Sequence, residues 1–194
     1  MSTTIAELKK NLRREFQQLK ISGEARATFS RQACERLQQQ VIWRAAKCIL
    51  FFDPLENEVD VRVLIDSVIA QNKIAALPKF LPEKNAYGAF RVENREHDCA
   101  LGKFGIAEPG ASCLALDLKQ LDLVLVPGVA FDLAGRRLGR GRGFYDRLLA
   151  EVRGTKCGVA FDQQIAAEVP IDPHDIILDC IVTPTRWLDF HASA

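Results

Sequence analysis

The sequence predicts one α/β domain over residues 1–194, with a mostly parallel sheet and an N-terminal helical layer. Three observations lead there. The first forty residues carry apolar side chains at helical spacing. From about Lys47 onward, short apolar runs alternate with helical stretches. That is the grammar of β–α–β units, which favour parallel strands and right-handed crossovers. The 48% hydrophobic and 26% charged content is that of a globular chain, and the length suffices to bury a sizeable core.

Taken in order, IAELKKNLRREFQQL places Ile5, Leu8, Leu12, Phe16 and Leu19 three or four residues apart, the period of one helix face. Thr4 is a candidate cap, with Glu7 three residues on as its capping-box partner. ISGE breaks the pattern, and ARATFSRQACERLQQQVIW reads as a second helical stretch. CILFF is an apolar run of strand length, DPLENE a loop, VDVRVLIDSVIAQN a helix and KIAALP a second strand. The middle, about 80–115, is less regular: AYGAFRVEN is a candidate strand and FGIAEPG a loop. LDLVLVPG is a strand ending at Pro127–Gly128, AFDLAGRRLG a turn-rich connection and FYDRLLAEV the start of a helix. TKCGVAF is a strand, DQQIAAEVP a short helix or loop, and DCIVT a last strand.

The formal net charge of +1 provides no global field toward nucleic acid or membrane. Any anion site must therefore be local. An RNA-binding role would also need an aromatic stacking array, which the chain lacks. Six scattered cysteines form no C-x-x-C pair and do not cluster with the three histidines, so neither a zinc site nor a disulfide framework is indicated. The start, MSTTIAELKKNLRREF, has no apolar signal core, and no apolar run approaches a bilayer span. A cytoplasmic protein is the expectation, and a monomer is the working assumption.

The stretch RLGRGRGFYDR, Arg137 to Arg147, stands out. Glycine occupies every second position from Gly139 to Gly143, and six arginines face two acidic residues between Leu133 and Arg153. Such glycines let the backbone approach a ligand closely, and consecutive amides in such a loop form an anion-binding nest. The helix that follows offers open N–H groups and its positive dipole end. Arg137, Arg140 and Arg142 add forked donors suited to phosphate or carboxylate. A flexible turn with solvated arginines is the bland alternative. The known nucleotide motifs do not fit, because G-x-x-x-x-G-K-[ST] is absent and G-x-G-x-G is not G-x-G-x-x-G. Asp146 beside a phosphate cradle repels the ligand unless a metal intervenes, which makes it a candidate Mg²⁺ ligand; an acidic residue that merely favours the helix dipole is the competing reading.

PGVAFDLAGRRLGRGRGFYDR closely resembles the signature of 5-formyltetrahydrofolate cyclo-ligases, with Pro127, Gly128, Ala130, Phe131, Asp132, Gly135, Arg137, Leu138, Gly139, Gly141, Gly143, Tyr145 and Asp146 all matching. The resemblance runs over nearly the whole chain. Lys9 and Arg13 match a K-x-x-x-R helix, Glu58, Val59 and Asp60 an acidic segment after the first strand, and Gly105, Ile106, Glu108 and Pro109 a G-I-x-E-P loop. Gln163, Gln164, Val169, Pro170, Asp175 and the final IVTP match late segments. Least matches between about Phe80 and Leu101, where no site residue is assigned.

The resemblance implies a three-layer α/β/α fold and an enzyme that converts ATP and 5-formyltetrahydrofolate to 5,10-methenyltetrahydrofolate, ADP and phosphate with Mg²⁺. It implies that Lys9, Arg13 and the run Arg137, Leu138, Gly139, Arg140, Gly141, Arg142, Gly143, Phe144 and Tyr145 bind ATP. Phe52, Glu58 and Arg140 to Phe144 would border the folate, Asp146 and Asp175 would hold Mg²⁺, and Arg140, Arg142 and Tyr145 would act in catalysis. Lys9 and Arg13, four apart, share one helix face. His174 is expected to be an exposed loop residue and carries no assignment. A sugar-phosphate or CoA-handling enzyme would explain the anion loop but neither Glu58 nor the Lys9/Arg13 pair.

Overall fold

A computed structural model describes residues 4–102 and 105–190. Met1–Thr3 of the expected signal-free start and Phe104 of the expected FGIAEPG loop lie outside the described residues. The chain opens with α1 (Ile5–Phe16), whose Thr4 and Glu7 form the reciprocal capping box. The second helical stretch is two elements, α2 (Gly23–Gln38), capped by the Ser22 side chain, and α3 (Val41–Ala45). The α/β part follows as β1 (Cys48–Leu50), α4 (Arg62–Ala70), β2 (Ile74–Leu81) and β3 (Ala86–Val92). The irregular middle contains α5 (Arg95–Asp98), β4 (Cys99–Leu101), β5 (Ala107–Pro109) and β6 (Ala115–Leu116). Then come β7 (Leu123–Val126), β8 (Ala130–Phe131), β9 (Arg137–Leu138), α6 (Phe144–Glu151), β10 (Thr155–Val159), β11 (Cys180–Val182) and β12 (Trp187–Asp189).

Eight strands form the main sheet in the order β12-β11-β10-β7-β1-β2-β3-β6. Its centre, from β11 to β2, is parallel, and β12, β3 and β6 add antiparallel edges. Alternation along the strands divides the core between the two faces. Ile49, Leu123, Leu125 and Val159 pack with Leu37 of α2 and Leu64 and Val68 of α4. Leu50, Val124 and Val126 pack with Leu148 and Leu149 of α6. Helices thus cover both faces, the three-layer arrangement. All four residues of β7 are buried, as a central parallel strand requires.

Four expectations are corrected. FGIAEPG is not all loop, because Ala107–Pro109 pairs with Cys99–Leu101. AFDLAGRRLG closes a small hairpin, β8 on β9, made possible by Asp132, whose carboxylate accepts from the Ala134, Arg136 and Val169 N–H groups. DCIVT is not the last strand, since β12 returns antiparallel onto β11. The apolar face of α1 is also narrower than its periodicity suggests. Ile5 and Leu8 are exposed, and only Leu12 and Phe16 pack, against Val129, Leu138 and Val169. The buried residue of α1 is Lys9.

Candidate active site

The parallel strands end, at their carboxyl edge, on a cavity of about 540 Å³, a volume suited to a small-molecule ligand. Every residue the sequence assigns to a site lines it: Lys9, Arg13, Phe52, Glu58, the run Arg137 to Asp146, and Asp175. Its position follows from topology, since ligands of open α/β sheets collect outside the carboxyl ends of the strands. The residues missed by sequence reasoning include Asp53, Pro78, Tyr87, Ile106, Asp172 and His174. His174 is exposed, as expected, yet it belongs to the wall.

The glycine loop is anchored along its length. Arg13 donates from Nε to the Gly139 carbonyl at 2.8 Å. Arg140 donates to Glu58 Oε1 at 2.9 Å and Asn57 Oδ1 at 3.1 Å. Arg147, one turn into α6, donates to the Arg142 carbonyl at 3.3 Å and to the Asn85 carbonyl in the β2–β3 turn at 2.9 Å. Gly141 sits at φ 93° and Gly143, the N-cap of α6, at φ 63°. Both angles belong to glycine. No side chain caps α6, so its N-terminal dipole end is open to an anion.

Each of three cations has a carboxylate partner. Lys9 Nζ pairs with Asp172 at 2.7 Å and with Asp175. Burial alone would lower its pKa, but the bonds to Asp172 and Asp175 outweigh that and hold the ammonium above its ordinary range. Asp175 is held below the carboxylate range, against the effect of burial, by the Asp172 N–H and by Lys9. Arg137, with 3% of its side chain exposed, pairs with Asp146 at 2.8 Å, and its buried Nε has no partner among the described residues. Arg140 pairs with Glu58, whose side chain is 8% exposed. Glu58 Oε2 also accepts from the Leu55 N–H at 3.0 Å, which fixes the carboxylate at the end of β1.

Aromatic residues close the far side. Tyr87 lies edge-on to Phe144 at 5.4 Å and to Tyr145 at 5.7 Å. Arg137 lies over the Tyr145 ring at 5.7 Å. Burial, helped by Glu58 and Tyr87, pushes the Tyr145 phenol well above its ordinary range. Tyr145 therefore stays neutral and can donate a hydrogen bond, but it is no base at neutral pH. Phe52 is buried in the core and still forms part of the wall. Leu138 is a buried wall residue. Cys34, Cys48, Cys157 and Cys180 are buried and Cys99 and Cys113 half-buried, all as free thiols.

Fold and site together define an α/β enzyme whose cleft suits an anionic, partly aromatic small molecule. The profile of the 5-formyltetrahydrofolate cyclo-ligase family matches residues 5–184. The 5-formyltetrahydrofolate cyclo-ligase of Mus musculus is 31% identical over 191 residues, covering 92% of this chain and 94% of its own. That of Escherichia coli K12 is 29% identical over 170 residues, covering 86% and 93%. The NMR structure of Aquifex aeolicus 5,10-methenyltetrahydrofolate synthetase matches with a TM-score of 0.82 at 34% identity, over 97% of this chain and 93% of its own. The chain belongs to the 5-formyltetrahydrofolate cyclo-ligase family.

Proposed function

We propose that the protein cyclises 5-formyltetrahydrofolate to 5,10-methenyltetrahydrofolate, consuming ATP with Mg²⁺ and releasing ADP and phosphate. One observation carries the reading: a single cavity gathers the glycine loop, the Lys9/Arg13 face, Glu58 and Asp175 from segments far apart in sequence. The formyl oxygen is a poor leaving group. ATP phosphorylates it, N10 attacks the activated carbon, and phosphate departs as the ring closes. Such chemistry needs positioning and charge stabilisation rather than a protein nucleophile.

In this reading Arg137, Arg140, Arg142 and the amides of Gly139 to Tyr145 hold the phosphates, with Lys9 and Arg13 completing the cradle from α1. Glu58, fixed by the Leu55 N–H, accepts hydrogen bonds from the pterin, while Phe52 and Phe144 border it. Arg140, now on Glu58, is placed between the two ligands. Arg140 and Arg142 stabilise charge on the transferring group, and Tyr145 donates as a neutral phenol.

The donor set fits Mg²⁺, a hard cation that takes few carboxylates plus phosphate oxygens. Asp172, His174 and Asp175 offer ligand atoms within 4.8 Å of one another, and Asp146 faces the same cavity. Asp146 and Asp175 would hold the ion, which would screen these carboxylates from the phosphates. Lys9 and Arg137, released from their carboxylates, would turn to the phosphates.

Incubation with 5-formyltetrahydrofolate and MgATP is expected to raise the near-ultraviolet absorbance of the methenyl product. Folded protein that gives no such change refutes the activity. Asp146→Asn is expected to shift the Mg²⁺ titration of turnover to higher concentration; an unchanged titration removes Asp146 from the metal role.

A further inference from the structure

The antiparallel β2–β3 hairpin carries a cavity residue that the family signature does not contain. Tyr87 stands opposite Phe80 in the register, half-buried, with its ring 6.1 Å from Phe80, 5.4 Å from Phe144 and 5.7 Å from Tyr145. Three aromatic rings thus hold it in one orientation. Its hydroxyl is different. Among the described residues it has no hydrogen-bond partner and it is not one of the buried unpartnered polar atoms, so it is open to the cavity that Tyr87 lines. Burial, with Glu108 adding and Arg142 opposing, raises the phenol's pKa, so it remains a donor at neutral pH.

Topology indicates which ligand it meets. Strand order places β1, β2 and β3 on one flank of β7, and β10 and β11 on the other. Phe52 follows β1, Pro78 lies on β2 and Tyr87 on β3, and all three line the cavity. Glu58 is on this flank too. The Lys9–Asp172–Asp175 cluster joins α1 to the segment that leads into β11. The hairpin flank offers rings, one hydroxyl donor and the Glu58–Arg140 pair; the Lys9 cluster offers charge alone.

We propose that Tyr87 is a substrate-binding residue that recognises the folate and not the nucleotide: its ring walls the aromatic part of the substrate and its hydroxyl donates to a polar atom of it. This rests on the proposed function. Isothermal titration of wild type, Tyr87→Phe and Tyr87→Leu with 5-formyltetrahydrofolate, and separately with MgATP, tests it. Tyr87→Phe is expected to weaken folate binding about 2- to 10-fold, the loss of one hydrogen bond. Tyr87→Leu is expected to weaken it further, and both are expected to leave MgATP affinity within about twofold, a change too small to signal a lost contact. Folate affinity unchanged in Tyr87→Phe, or MgATP affinity lowered as much as folate affinity, overturns the inference, the second outcome marking Tyr87 as an adenine contact. Should Tyr87→Leu fail to fold, Tyr87→Phe decides alone. Wild-type protein that binds no folate would refute the proposed function itself, and the inference with it.

Discussion

Two glycine-to-alanine substitutions separate the site from the scaffold. A Cβ on Gly141 would meet nothing closer than the Arg13 guanidinium carbon at 3.4 Å, an ordinary contact. The cost is conformational only, because φ is +93°, and a side chain in the left-handed region costs roughly 1–2 kcal/mol. Residues 140–142 are exposed, so without ligand the variant loop is expected to shift between its anchors at Gly139, Arg140 and Arg142 and to avoid part of that cost. With ligand the loop must return to its bound form, and the cost reappears as a loss of about 5- to 30-fold in nucleotide affinity. Gly154 is the contrast. Its added Cβ would lie 2.1 Å from the Leu121 carbonyl oxygen and 2.5 Å from that of Asp122. Backbone cannot give way there, so Gly154→Ala is expected to cost upward of about 3 kcal/mol, or roughly 10 °C in a chain of this size. Calorimetric melts and MgATP titrations of both variants measure the split. Gly141→Ala protein that binds MgATP like the parent, or that melts as low as Gly154→Ala, refutes the reasoning.

Arg147→Ala removes the tie between the loop and the β2–β3 turn, and with it the contact over the Phe144 ring at 5.2 Å. For an exposed side chain this is worth about 1 kcal/mol, so both ligands are expected to bind about fivefold more weakly by titration, with Lys restoring part of the loss. Equal affinities would show that the tie is idle. Acid stability is expected to follow from carboxylates with lowered pKa values, here Asp60, Asp162 and Asp175, with Glu108, raised by burial, acting in the opposite sense. Asp60 is lowered by the Arg62 side chain above all. Asp162 and Asp175 are lowered despite burial, the first by Thr183, Thr185 and Arg186, the second by the Asp172 N–H and Lys9. A lowered folded pKa adds stability that is complete above the unfolded value of about 3.9 and lost as pH falls through the folded one. Urea midpoints are therefore expected to be steady from pH 7 to about 5 and to fall below about 4 as these groups protonate. Asp162→Asn is expected to flatten that fall, and an unchanged slope would discount Asp162.

What could be read from the sequence was what short-range backbone physics writes into it. The Thr4–Glu7 capping box, the all-apolar LVLV of β7 and the positive-φ glycines of the Arg137–Tyr145 loop are each legible within a few residues. Lys9 shows where this stops. Its spacing with Arg13 marks a shared face, but its partners Asp172 and Asp175 lie 163 and 166 residues away, and they turn a charged side chain into the buried residue of α1. Tyr87 was invisible for a similar reason: its place in the wall depends on the Phe80 register and on the packing of α6, not on its neighbours in sequence. The same limit changes the electrostatics of the cleft. As a string, the loop is a run of uncompensated arginines. Folded, Arg137 holds Asp146, Arg140 holds Glu58 and Lys9 holds Asp172 and Asp175. A polyanion drawing on these three cations would take them from carboxylates already bonded to them, and each carboxylate left behind in a partly buried setting is costly unless a new partner replaces the old one. On the proposed reading, binding at these three pairs would be partner exchange, and the acidic residues would set the affinity for an anion together with the arginines.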